Sequence, residues 1–134
     1  NNNEFFSIDA KSGIIRWKQT INSSLRPTVI NNLIFSISEE GYLFVIDNLT
    51  GNIIRITDAL KNLREKKENI KPSGFIIAKN KIYLSLNNGR LIKIDIASAM
   101  VEKIFKLDNS KISRPYVFNG NMYLIKKNAI IKAN

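Results

Sequence analysis

A chain of 134 residues with 44% hydrophobic and 24% charged side chains suits one ordinary domain, too apolar to stay unfolded yet without the ~18-residue apolar run of a membrane helix. It has neither cysteine nor histidine, which excludes disulfides, thiolate nucleophiles, the Ser-His-Asp triad and metal sites built on thiolate or imidazole. The 21 basic residues outweigh 11 acidic ones for a net charge of +10, a balance that favours phosphate, anionic headgroups or an acidic protein as partner.

The chain opens on Asn1-Asn2-Asn3 rather than Met and shows no apolar signal-peptide core. The expectation is a removed leader or a piece of a longer protein, and the repeats described below favour the second. Two strands are expected at about 4–9 and 14–20, joined by the turn Asp9-Ala10-Lys11-Ser12-Gly13. Four more follow over about 27–57, where Leu33-Ile34-Phe35-Ser36-Ile37 and Tyr42-Leu43-Phe44-Val45-Ile46 are the clearest runs.

An insertion comes next. Thr57-Asp58 offers a helix N-cap, and Ala59 to Lys67 reads as a short helix with Leu60 and Leu63 on one face and Lys61, Arg64 and Lys67 exposed. Four strands then span about 72–107, and three close the chain at about 115–134, thirteen in all. Tyr42, Tyr83, Tyr116 and Tyr123 fall inside strand patterns and are expected to be packed rather than displayed as a sugar-binding rim.

These segments repeat. Asp9, Asp47 and Asp95 lie 38 and 48 residues apart, while Pro27, Pro72 and Pro115 are separated by 45 and 43. Gly41 and Gly89 each precede the following aspartate by six residues. A period in the forties with four short strands per unit is the pattern of propeller blades, each of which must be covered by neighbours. The expected fold is all-β: a β-propeller fragment or partial ring of four-stranded antiparallel blades, three and a little more, with one short helical insertion. Residues 1–134 would form a single such fragment. It would contain a partial blade at 1–24, a blade at 25–57, the insertion at 58–71, a blade at 72–109 and a partial blade at 110–134. The alternative to a larger ring is closure by pairing of the first two strands with the last three, or through a second copy.

Asp at a strand end followed by Gly in the turn has a local mechanism. The carboxylate accepts from the turn amides and Gly13 or Gly51 takes the positive φ; Ala99, at the matching place after Asp95, must reach that conformation with strain or use another turn. The unit Asp9-Ala10-Lys11-Ser12-Gly13-Ile14-Ile15-Arg16-Trp17 resembles the repeat of the pyrroloquinoline-quinone (PQQ)-type propellers, Ala-x-Asp-x-x-Thr-Gly-Lys-x-x-Trp. Asp47-Asn48-Leu49-Thr50-Gly51 is similar to its core, Asp95 belongs to a third copy, and Asn134 stands near the Asp position of a fourth. The resemblance implies that Trp17 packs against the adjacent blade.

Dehydrogenases with this repeat hold a quinone and a calcium or lanthanide ion, using carboxylates, an Arg, a stacking Trp and often a vicinal disulfide. This chain has no cysteine, its single Trp sits in the structural motif, and Glu39-Glu40 reads better as a rim turn than as a metal ligand pair. No catalytic, cofactor-binding or metal-binding residue is therefore expected, and the protein is not expected to be an enzyme. The resemblance is nearest to the non-catalytic periplasmic lipoproteins of the machinery that inserts β-barrels into the bacterial outer membrane. It implies a protein-interaction scaffold, extracytoplasmic and anchored at the outer membrane through a leader outside this chain.

The partner would meet rim loops 19–26, 58–71 and 108–114 through Arg26, Lys61, Arg64, Lys67, Lys71 and Arg114. Arg26, Lys71 and Arg114 each precede a repeat proline and would form a basic arc. Alternatives are a fragment of a quinoprotein dehydrogenase, or a basic surface for anionic ligands. Nucleic acid is not the expected ligand, because 15 Lys scattered over the chain outnumber 6 Arg, and base readers cluster Arg. Uncovered sheet edges make self-association expected.

Overall fold

Short runs rich in Ile, Leu, Val, Phe and Tyr become strands because β-branched and aromatic side chains pack well on a pleated surface, and Asn, Gly, Asp and Ser end each run in a tight turn. The structure, a computed structural model, describes residues 3–133 and divides into two compact units, Asn1–Asp58 and Ala59–Asn134. The aligned position Asn134 lies outside the described residues.

In the first unit β1 (Glu4–Ile8) pairs with β2 (Ile15–Thr20), and β3 (Thr28–Ile30), β4 (Leu33–Ile37), β5 (Tyr42–Asp47) and β6 (Ile53–Asp58) form a four-stranded sheet in that order. In the second, β7 (Pro72–Ala78), β8 (Lys81–Leu86), β9 (Arg90–Asp95) and β10 (Val101–Lys106) form another four-stranded sheet. There β11 (Tyr116–Phe118), β12 (Asn121–Lys126) and β13 (Ala129–Ala133) form a three-stranded one. All strand pairs are antiparallel between sequence neighbours, giving meanders. The thirteen strands among the described residues fall where the periodicity placed them.

Apolar side chains occupy both faces of the β7–β10 sheet, as a leaf covered on two sides requires. Ile82, Leu84, Ile92 and Ile94 are fully buried on one face. On the other, Leu91 packs with Ile112 and Leu124, and Tyr83, Phe105, Leu107 and Met122 close around them. The first unit has its own cluster of Trp17, Ile21, Ile34 and Ile46, flanked by Phe5 and Phe44.

Two expectations need correction. The insertion is present, but Ala59–Lys67 is no α-helix: turns cover 59–62 and one 3-10 turn spans Lys67–Asn69. A nine-residue stretch with two leucines is too short to sustain a helix alone, and contacts hold it otherwise. Ala59 and Leu60 are fully buried, Glu65 pairs with Arg90 at 2.7 Å, and the Asn69 carbonyl accepts from the Asn87 amide at 3.0 Å.

Next, Tyr42 and Tyr116 are 42% and 53% exposed, not packed, because each begins a strand on an outward-turned position. Of the two outcomes open to Ala99, it takes the left-handed turn, at φ +56°. Among the described residues no helix is long and apolar enough to cross a membrane.

Candidate functional site

The repeated aspartates build the most regular polar feature. Asp9 Oδ1 accepts from the Lys11 and Ser12 amides at 2.9 Å, and Asp47 Oδ1 accepts from Leu49 and Thr50 at 2.8 and 3.0 Å. Asp95 Oδ2 accepts from both the amide and the hydroxyl of Ser98 at 2.9 Å. The backbone closes identically in each turn: Gly13, Gly51 and Ala99 donate N–H to the carbonyl oxygens of Asp9, Asp47 and Asp95 at 2.8 Å. Four residues separate donor from acceptor in each, and the alanine copy keeps the geometry despite its Cβ.

These bonds favour the ionised carboxylates. The Ser12 amide, with the Arg16 guanidinium next, holds Asp9 well below the usual range, and the Thr50 amide lowers Asp47. Lys81 lowers Asp95 most, with Ser98 adding to it. Lys81 and then Lys93 lower Glu102, while Asp95 and then Glu102 raise Lys81. Such carboxylates stay ionised and are poor proton acceptors.

A carboxylate held low in the folded chain and freed on unfolding contributes stability above its ordinary value of about 4, and that contribution fades as pH falls through the lowered native value. The urea midpoint should therefore hold steady from about pH 7 to 5 and drop progressively below about 4. Asp95→Asn should flatten part of that drop. A wild-type midpoint that stays level under acid would contradict the assignment.

Trp17, 9% exposed, lies over the β5–β6 turn. Its indole Nε1 donates to the Asn48 carbonyl at 2.9 Å, its ring stacks on Phe5 at 6.1 Å, and a Cβ on Gly51 would come within 2.5 Å of it. The Gln19 amide donates to the Gly51 carbonyl at 2.6 Å alongside. The motif thus fastens β2 to the neighbouring sheet of the same unit.

A quinone held with a metal needs converging oxygen ligands and an open aromatic face. Among the described residues no three acidic side chains converge, the carboxylates of the repeat cap turns, and Trp17 is occupied against Gly51. Glu39 and Glu40 stand in the β4–β5 turn, where Glu40 accepts from the Asn22 amide at 3.0 Å. The residues present do not fit that cofactor.

The basic rim residues divide between the two units. Arg26 is exposed in the first; Lys61, Arg64, Lys67 and Lys71 are exposed in the second. Arg114 differs: it is half-buried, its Nε donates to the Phe75 carbonyl at 3.0 Å, and its Cβ fills the space over Gly74. It clamps the segment before β11 onto β7. The insertion is left with Lys61, Arg64, Lys66, Lys67 and Lys71 against Asp58, Glu65 and Glu68, and Glu65 is engaged by Arg90.

Two features carry no local sequence signal. One is the network in which Lys81 contacts Asp95 and Glu102, with Lys93 3.4 Å from Glu102. The other is a cavity of about 540 Å³ between the β7–β10 and β11–β13 sheets. Each draws on several strands, so no contiguous motif announces it.

Four-stranded antiparallel meanders with aspartate-capped hairpins at a regular period define the chain as a β-propeller fragment. Among solved structures it is similar to BamB from Moraxella catarrhalis, with a TM-score of 0.73 at 11% identity, over 97% of this chain and 37% of that one. It is similar also to the Cps50 (Swd1) β-propeller domain of Myceliophteria thermophila, with a TM-score of 0.70 at 8% identity, over 95% and 44% of the two chains. A third is the quinohemoprotein alcohol dehydrogenase of Comamonas testosteroni, with a TM-score of 0.61 at 21% identity, over 78% and 17%. The chain spans less than half the length of each, and likeness at these identities shows the fold alone. No protein-family model and no curated protein sequence matches it.

Proposed function

We propose that this chain is part of a non-catalytic PQQ-like propeller that serves as a binding scaffold for a protein partner. The finer reading is a BamB-like component of outer-membrane β-barrel assembly, working outside the cytoplasm. One observation carries the non-catalytic reading: the repeat's aspartates and its tryptophan are spent on turn capping and sheet fastening. The blades would run over 25–57 and 72–109, with partial blades at 1–24 and 110–134 and the insertion at 58–71. Binding would fall to the exposed cations of that insertion, Lys61, Arg64, Lys67 and Lys71, with Arg26 as a further contact. A partner's acidic surface would meet them, since rim charges steer encounter and select partners.

The test is binding of the chain to a purified outer-membrane β-barrel assembly complex, followed by surface plasmon resonance. The expected result is saturable binding that weakens about tenfold or more when Lys61, Arg64 and Lys67 are all changed to Glu, mainly through slower association. Binding untouched by the triple change would remove the insertion from the interface. No binding at all would sink the assembly reading.

A further inference from the structure

The cavity in the second unit has a chemistry of its own, separate from the rim. Cross-strand pairing puts Tyr83, Lys93 and Lys103 in one row over β8, β9 and β10, and Leu91 beside Phe105 in the next. Val117 and Met122, paired on β11 and β12, face them from the other sheet, and Leu107 closes one end. The volume of about 540 Å³ lies within the ~300–1,000 Å³ of small-molecule sites. The walls are mostly aliphatic and aromatic, with Lys79, Lys93, Lys132, Asn121 and the Tyr83 hydroxyl as their polar groups.

The charge on this face is unbalanced. Lys81, Lys93 and Lys103 stand with two carboxylates, Asp95 and Glu102. Lys81 takes both carboxylates at short range, and Lys93 retains only the 3.4 Å contact to Glu102. Lys103 Nζ sits 4.8 Å from the centroid of the Phe105 ring that lines the cavity. Three ammonium groups against two carboxylates leave one positive charge, and Lys79 and Lys132, which also line the cavity, add two more with no ion-pair partner among the described residues. The Tyr83 hydroxyl likewise has no hydrogen-bond partner among the described residues, although its ring lines the cavity.

We propose that this cavity binds a small monocarboxylate with an aliphatic body. The body would lie among Leu91, Phe105, Leu107, Val117 and Met122, and the carboxylate would accept from Lys93 Nζ and the Tyr83 hydroxyl. A neutral alcohol would leave the lysines of the lining uncompensated. A carboxylate on an apolar chain is what cationic side chains around aliphatic and aromatic walls match.

The chain's two methionines make the test direct: Met122 lines the cavity, whereas Met100 is 65% exposed. With the methionine methyls labelled with carbon-13, decanoate below its micelle concentration should shift the Met122 signal saturably and leave Met100 in place. Decanol should bind about tenfold or more weakly, and Lys93→Leu should weaken decanoate by a similar factor. Tyr83→Phe should weaken it less. Should Lys93→Leu fail to fold by circular dichroism, the decanoate-to-decanol ratio on the unaltered chain decides alone. An unmoved Met122 signal, equal shifts at both methionines, or equal affinity for decanol and decanoate would each overturn the proposal.

Discussion

Trp17→Ala should destabilise the Asn1–Asp58 unit by about 3–5 kcal/mol, read as a lower urea midpoint in circular dichroism. The loss has three sources. The ring leaves a cavity in the cluster with Ile21, Ile34 and Ile46, its stacking on Phe5 goes, and the Asn48 carbonyl loses its indole donor. Gly51→Ala attacks the same junction from the other side, because its Cβ would fall 2.5 Å from the indole at a backbone φ of +75°. The two changes should be strongly non-additive. Once the indole is gone, Gly51→Ala retains only its backbone strain of about 1–2 kcal/mol. Additive penalties would mean that Trp17 and Gly51 do not pack together in solution.

Gly89→Ala is the second large effect, with an expected cost of about 3 kcal/mol or more to the Ala59–Asn134 unit. The added Cβ would come 2.2 Å from the Asp108 carbonyl oxygen, a backbone atom that cannot swing aside, at φ +78°. Gly89 also accepts from the Leu107 and Asp108 amides at 2.9 and 3.2 Å, so displacement there pulls on the segment leading to buried Ile112. That segment is held by Asp108 against Lys126 at 2.6 Å. Gly13→Ala is the control: its φ is +72°, but nothing lies within 4 Å of the new Cβ. It should cost about 1–2 kcal/mol, the conformational term by itself. Equal penalties at Gly13 and Gly89, measured by urea denaturation, would remove the close approach as the cause.

The contrast between these glycines separates local from distant information. Gly13 and Gly51 occupy the same position of the same turn, and both are legible from the sequence because Asp-x-x-x-Gly closes a hairpin within five residues. That only Gly51 carries an indole cannot be read from either turn, since Trp17 arrives from another hairpin. Ala99 gives the converse lesson. Its sequence left open whether the third turn would keep the shape, and the bond from its N–H to Asp95 at 2.8 Å shows that one alanine in the left-handed region is tolerated. The surrounding pairing of β9 with β10 outweighs a cost of about 1–2 kcal/mol.

The candidate site divides in the same way. Exposure of Lys61 and Arg64 follows from a basic run with too few apolar residues to bury. Arg114 has the same local pattern as Arg26, a cation before a repeat proline, yet it is folded onto Phe75 and Gly74. The difference lies in a glycine 40 residues earlier, whose missing side chain leaves room for the Arg114 stem.

By itself, the sequence determined the strands, their hairpins and the repeat. Alternation and turn chemistry act between residues a few positions apart, and neighbouring strands then pair as meanders. The tertiary structure alone decided that the insertion is not helical, that Tyr42 and Tyr116 face outward, that Arg114 is a clamp, and that Tyr83 and Lys93 border a cavity. Each of those outcomes depends on which sheet face is covered and by which strand, a matter of packing between segments tens of residues apart that no local pattern encodes.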